Sequence, residues 1–341
     1  METYAARISR VQPAFGDLLY SREGTYFGSA AEVPSGLPVC LGQRMVLIRP
    51  NSDMINHRFL RFWLNSGAMA SYVQAHKDGS VAQRLNLPVI RSIPVPLPPR
   101  DEQDDIAETL GALDDKIESN LRQRALLRAL GLARLDAARA ASPSVSKTLS
   151  EVSLSIVRGV TPKYADGDQS APVVVNQKCI RGGLVTLASA RRMVDREVAA
   201  TKKAESGDVL VNSTGVGTLG RVGRWHRGSL FVDGHISVVK PNREAIEPTV
   251  LAYAMFEREG NIESLATGST GQTELSPARL GSLVLELPGK EQAAVLEPVL
   301  LAIEDRIDQL GREVPRLKAL RDALLPELLS GRIRRPVEAV A

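Results

Sequence analysis

The chain has 341 residues, 43% of them hydrophobic and 24% charged, with a formal net charge of +4. That is enough for two domains with their own cores, and a pI near 9.1 leans towards an anionic partner. Two cysteines, Cys40 and Cys179, exclude a disulfide scaffold or zinc site and suit a reducing cytoplasm; there is neither an apolar run of roughly 20 residues nor a secretion signal.

In chain order, the first stretch mixes short apolar runs with Gly, Pro, Asn and Asp, the pattern of strands and turns. Alternating prolines in 93–99 (IPVPLPP) then force an extended path. After Pro99, Ile106, Leu110, Leu113 and Ile117 fall on one helical face, continued less regularly by Leu121, Leu127 and Leu130 to about Ala140. A second mixed stretch follows, with strands expected at 173–175, 209–211 and 236–239, and it closes on LELP at 285–288. A second helix carries Leu296, Leu300, Ile303, Ile307, Leu310, Val314, Leu317, Leu324 and Leu328 in 4-3 alternation, broken only by Arg321. That period defines a narrow coiled-coil seam. Pro315 is expected to bend or break this helix, and Gly331 among Arg332, Arg334 and Arg335 to stop it.

The chain is also written twice. GDLL at 16–19 returns as GDVL at 207–210, and LIRPN at 47–51 returns as VVKPN at 238–242, both shifted by 191. GSVAQ at 79–83 returns as GSTGQ at 268–272, Glu102-Gln103 as Glu291-Gln292, and Asp115-Lys116-Ile117 as Asp305-Arg306-Ile307, shifted by 189 or 190. Each helix would span roughly 50–60 Å, longer than a module of ~100 residues can cover, so the two seams are expected to bury each other. One helix per repeat makes the pair antiparallel. The expected fold class is therefore α+β: two mixed α/β modules in pseudo-twofold repeat, separated by an antiparallel pair of long coiled-coil helices. The expected boundaries are 1–99 for the first module, 100–142 for the central helix, 143–288 for the second module, 289–334 for the C-terminal helix and 335–341 for a tail.

With two modules, each followed by a P-x-P-x-x-EQ-x-x-I helix, the chain resembles the specificity subunit of type I restriction–modification systems. The resemblance rests on PLPPRDEQDDIAETLGALDDKIESN at 96–120, on 287–310, on LRDALLPELLSGRI at 320–333, and on the loops GDLLYSREG and GDVLVNSTG. It implies that each module reads half of a split double-stranded DNA target. It also implies that the helices act as a ruler and dock two adenine methyltransferase subunits, which the restriction and translocase subunits join. S-adenosylmethionine, ATP and Mg would then belong to those partners, and this chain would need no cofactor, work in the cytoplasm and serve phage defence without being an enzyme.

Residues 215–220 spell G-x-G-x-x-G, yet Arg221-Val222-Gly223-Arg224-Trp225 after them is strand-like, whereas a dinucleotide loop opens a helix. A turn that brings main-chain N–H groups to phosphates fits better. In the second module the expected DNA contacts are Arg158, Thr161 and Lys163; Asn176, Gln177, Lys178 and Arg181; Asn212, Ser213, Thr214, Arg221 and Arg224; and Ser269, Thr270 and Gln272. In the first they are Ser21, Arg22, Thr25, Gln43, Arg44, Ser80, Gln83 and Arg84.

The sequence holds no G-x-x-x-x-G-K-[ST] and no N-P-P-[YF], and its four histidines form no metal-ligand or nucleophile pattern. His235 beside Asp233 reads as a structural hydrogen bond. The first module has no counterpart of about 144–191, so it is expected to be a truncated start, a broken frame or a reduced domain completed by another chain, with exposed apolar surface. The alternatives to DNA reading are a coiled-coil scaffold that binds no DNA and a half subunit that needs a second chain.

Overall fold

The computed structural model describes residues 4–9, 11–79, 83–141, 143–267 and 273–333. It divides into two compact units, residues 1–121 with 312–341 and residues 122–311, so each unit holds part of both long helices. Those helices are Arg100–Ala140 and Lys290–Leu329. No helix among the described residues is long and apolar enough to cross a membrane.

In the first unit, Leu18–Ser21 pairs antiparallel with Ala30–Glu32 on one side and Met45–Ile48 on the other. Leu18 and Tyr20 point inward, where they share a core with Phe59, Leu60 and Phe62 of the His57–Leu64 helix. That helix starts where it does because Asn56 accepts hydrogen bonds from the N–H groups of Arg58 (2.8 Å) and Phe59 (3.1 Å).

The second unit repeats this core and adds to it. Val209–Asn212 pairs with Val222–Arg224 and with Ile236–Pro241. The register is inherited: Leu18 faces Ile48 and Leu19 faces Leu47, just as Val209 faces Val239 and Leu210 faces Val238. Ser153–Arg158 then covers the outer edge of Ile236–Pro241, and Gly183–Val185 and Ile180–Arg181 extend the other side to six strands. A four-stranded sheet (Lys203–Ala204, Leu230–Val232, Val173–Val175, Arg191–Arg192) and a pair (Val284–Leu287 with Val145–Thr148) complete it. The chain crosses between the two larger sheets at Gly159, where a Cβ would lie 2.1 Å from the Val232 carbonyl oxygen. No other residue fits there. In the first unit, no described strand covers Met45–Ile48, which is half-buried throughout, whereas Ile236–Val239 is fully buried.

Within each unit the helix segments run antiparallel. In the first, Asp114 meets Arg321 (2.8 Å) and Asn120 donates to Glu313 (2.9 Å); in the second, Arg128 meets Glu304 (2.7 Å). Of the expected seam, Ile106, Leu110, Ile117, Leu300, Ile303, Ile307, Leu310 and Val314 are buried, while Leu113 and Leu317 are half-buried. The seam is not a coil standing alone. Ile106 and Leu110 share the core of Leu18 and Phe59, and Leu300, Ile303 and Ile307 share that of Val250–Met255. A helix lying on a module can bury its stripe against that module and its partner helix together.

Three expectations change. Leu121 and Leu130 are exposed, because the 4-3 alternation after Ile117 continues through Asn120, which is fully buried, and Arg124 to Leu127 and Gly131, with Leu135 a further four residues on. Arg321, the apparent break in the second stripe, is held by Asp114. Of the two outcomes expected at Pro315, a bend or a break, the break does not occur. Pro315 lies on the exposed side, as Pro298 and Pro326 do, where water can meet the carbonyl each proline leaves without a donor. The helix stops as expected at Gly331 (φ +71°): the N–H of Gly331 donates to Leu328 (3.1 Å) and that of Arg332 to Glu327 (3.0 Å), a Schellman pair.

Candidate nucleic-acid interface

The ends of the inherited strands bring three of the expected residues of the second unit, Arg158, Gln177 and Thr214, into one hydrogen-bonded cluster. Thr214 follows the Val209–Asn212 strand, and its hydroxyl pairs with His235 Nδ1 (2.8 Å) and accepts from Gln177 Nε2 (2.6 Å). Thr214 also forms a β-bridge to Glu274. The Glu274 carboxylate lies 2.8 Å from Arg158 Nη1, while Arg158 Nη2 donates to the Leu275 carbonyl (2.8 Å). Arg158 thus straps its strand to the 273–275 segment and has few donors left over.

Behind this cluster, Asp233 accepts from the His235 N–H (2.9 Å) and from the Tyr164 hydroxyl (2.9 Å). Burial, and then the bond to Asp233, push the Tyr164 phenol above its usual value. Arg191 stacks over the Tyr164 ring, 3.3 Å from its centre, and Arg196 donates to the Thr161 carbonyl (2.9 Å). Thr161 and Lys163 are exposed beside them. Sequence reasoning passed over Arg191, Arg192 and Arg196; their signal was a basic run, R-R-x-x-x-R, whose place beside 161–164 only the sheet pairing reveals.

The remaining expected residues separate by burial. Lys178 and Arg181 are exposed, and Arg221 is half-buried with Nη2 donating to Gly217 (2.7 Å). Asn176 caps its own turn through Lys178 N (2.9 Å) and donates to Ser189 (2.7 Å). Three residues lie in the interior. Asn212 donates to the carbonyls of Gln177 (3.0 Å) and Thr218 (3.1 Å), and Ser213 pairs with Ser237 (2.7 Å). Arg224 is 6% exposed and turns towards the carboxylates of the Lys290–Leu329 helix; burial pulls its pKa down while Glu304, Glu297 and Asp305 oppose this. All three lie in or directly after strands covered on both faces, Val209–Asn212 and Val222–Arg224 being buried throughout, so either side of the pleat carries a polar side chain inward. Ser269, Thr270 and Gln272 lie outside the described residues, as does Ser80.

In the first unit the same backbone positions hold different side chains. Arg44 stands where His235 does, Glu23 where Thr214 does, and Arg84 where Glu274 does. The Glu23–Arg84 bridge repeats the Thr214–Glu274 bridge. Arg44 approaches Glu23 (3.9 Å) and Arg84 approaches Asp78 (3.9 Å). Thr25, Gln43, Arg44 and Arg84 are exposed; Ser21, Arg22 and Gln83 are half-buried. No group of three or more His, Cys, Asp or Glu residues that could hold a metal ion occurs among the described residues.

The type I restriction modification DNA specificity domain matches residues 4–127. A curated relative, the MjaX type I restriction enzyme specificity subunit of Methanocaldococcus jannaschii, is 21% identical over 358 residues, covering 96% of this chain and 80% of its own length. Among solved structures, the S subunit of a type I restriction–modification system from M. genitalium superposes with a TM-score of 0.60 at 15% identity, covering 93% of this chain and 83% of that one. The HsdS subunit from Thermoanaerobacter tengcongensis aligns with a TM-score of 0.38 at 19% identity, covering 94% and 82%. Residues 4–127 are thus similar to a type I restriction modification DNA specificity domain, and the chain shares the fold of a solved type I restriction–modification S subunit.

Proposed function

We propose that the chain reads a bipartite duplex DNA target, one half with each module (1–99 and 143–288), and that the helices at 100–142 and 289–334 dock adenine methyltransferase subunits, which restriction and translocase subunits join in the cytoplasm. The observation that carries this reading is the repeated strand-end cluster: one backbone frame, present in both units, that displays a different set of exposed polar and cationic side chains in each. A fixed frame with exchangeable tips is what separate recognition of two half-sites requires. From the expected set, the proposed contacts are the exposed Thr161, Lys163, Lys178 and Arg181 with the half-buried Gln177, Thr214 and Arg221, and in the first unit the exposed Thr25, Gln43, Arg44 and Arg84. Asn212, Ser213 and Arg224 act as supports beneath it. Methyl transfer and cleavage, with S-adenosylmethionine, ATP and Mg, belong to the partners.

Methylome sequencing of cells that express the chain with its methyltransferase tests this directly. Two short specified blocks at a fixed spacing are expected, together with duplex binding that falls steeply with salt. Absence of any methylated motif would remove the reading. One observation favours a variant of it: the Met45–Ile48 edge has no covering strand among the described residues where its counterpart is covered by Ser153–Arg158. On that variant the first module is a reduced domain completed by a second chain, and the motif shows one specified block until the second chain is supplied.

A further inference from the structure

The two glycine loops share a construction that the expected contact set left out. In the first unit, Gly24 and Gly28 both have positive φ (+95° and +85°). The N–H of Phe27 donates to Gly24 (3.1 Å) and that of Gly28 to Ser21 (2.6 Å). A Cβ on Gly28 would sit 2.8 Å from Val73, and Phe27 packs against the unit's core. In the second unit, Gly215 and Gly220 take the same conformation (+103° and +84°), Thr218 N–H donates to Gly215 (3.1 Å) and Gly220 N–H to Asn212 (2.8 Å). Leu219 is the buried anchor in place of Phe27, and a Cβ on Gly220 would meet the backbone of Glu263 at 3.0 Å. Both loops are therefore pinned at each end by glycines that cannot be replaced cheaply.

Between the pins, each loop pushes an apolar side chain into solvent. Tyr26 is 77% exposed and Val216 90%, the highest value among the exposed large hydrophobic residues of the described chain. Scattered exposed apolar residues need no explanation. Two at the tips of equivalent, hydrogen-bonded loops, each beside cations (Arg44 near Gly24; Arg221 bonded to Gly217), form a pattern. A rigid turn loses little entropy when its tip is buried by a ligand. The loop also differs in length by one residue between the units, so what varies is the tip and what persists is the mount.

Resting on the DNA-reading proposal, we infer that Tyr26 and Val216 are specificity-determining residues: each tip enters a groove of the duplex and reads one base pair of its half-site by apolar contact, of the kind a thymine methyl group offers. Val216 has no polar group to offer a phosphate, so the energy of its contact depends on the base; the ring of Tyr26 offers the same apolar contact, and its hydroxyl alone could reach the backbone.

The test compares the methylomes of the parent chain, Val216→Ser and Tyr26→Ala, each expressed with the methyltransferase. Thermal melting of each purified complex shows that the exposed substitutions leave the fold intact. The expected result is a roughly tenfold relaxation of preference at a single position, in one block for Val216→Ser and in the other for Tyr26→Ala, with all other positions kept. An unchanged motif beside a clear parent motif overturns the inference alone. A uniform drop in methylation with the motif intact also overturns it, since that is the signature of a backbone contact. A parent chain with no motif removes the underlying reading, and this inference with it.

Discussion

Glu32 and Arg224 occupy the same position of the repeat, one on each unit's second inherited strand, and carry opposite charges. Around Glu32 the neighbouring helix supplies cations, Arg61 at 3.0 Å and Arg58 at 3.7 Å, and Arg61 passes the chain of charge on to Asp114 and from there to Arg321. Around Arg224 the matching positions of the neighbouring helix are neutral, Thr249 and Ala252, and the long helix supplies anions instead. The repeat has thus preserved backbone register while inverting the electrostatics along with the burial. The first unit solves its charges near the surface. The second solves them in the interior, where Glu304 also accepts from the Tyr253 hydroxyl (2.7 Å) and Arg128 lies 4.0 Å from the centre of the Phe256 ring.

The largest expected difference follows from that contrast. Glu304→Ala strips the buried partner from Arg128 and Tyr253 and leaves Arg224 without its first counter-charge, which should cost about 3–5 kcal/mol. Asp114→Ala removes a partner from Arg61 and Arg321, which retain Glu32 and Asp322 and reach solvent, and should cost roughly 1–2 kcal/mol. Denaturant titration of the two variants measures both. Equal losses would mean that the second unit is no more dependent on its charges than the first.

A second comparison lies along the Arg100–Ala140 helix. At Gly131 a Cβ would fall 2.2 Å from the ring of the fully buried Tyr253; at Gly111 it would fall 2.8 Å from the guanidinium end of Arg58, a flexible side chain more than one-third exposed. Gly131→Ala should therefore destabilise by about 1–3 kcal/mol through overpacking. Gly111→Ala should be neutral or stabilise by up to ~1 kcal/mol, because Arg58 can move aside and alanine favours the helix. Melting temperatures that shift in the same direction would show that the ring yields.

These contrasts also mark how far the residues could be read in advance. The repeat, the proline brakes, both helices and the Gly331 stop were legible because each is a local pattern: a period, a missing donor, a positive φ. Asn120 and Arg124 were not, because a polar residue in a stripe reads as solvent-facing until its partner is known, and Asn120's partner, Glu313, lies 193 residues away. The candidate cluster was legible as a group of loops but not residue by residue. Thr214 and Asn212 are two apart with the same kind of side chain, yet one reaches the surface cluster and the other is fully buried beneath it. The strand pairing that decides this is not a property of either residue.

The smallest expected effect concerns one interaction made twice. Asp17 takes two bonds from Arg49 (2.7 Å each) and one from Ala14 N; Asp208 takes one from Lys240 (2.6 Å) and one from Glu205 N. The bond from Arg49 holds the Asp17 carboxyl below its usual range. Burial pushes the Asp208 carboxyl above it, and Lys240 only partly opposes this. With an unfolded value near ~3.9, the Asp17 contribution is present above that pH and disappears as pH falls through its lower folded value. Asp208 acts in the opposite sense: its favourable contribution is complete below ~3.9 and is lost as pH rises through its higher folded value. Carboxyl-carbon NMR titration should therefore find the two midpoints on opposite sides of ~3.9, with hydrogen exchange around Leu18–Ser21 accelerating on acidification before exchange around Val209–Asn212 does. If the two carboxyls titrate together, the greater burial of the second unit does not reach its electrostatics, and the contrast drawn from Glu32 and Arg224 is confined to those residues.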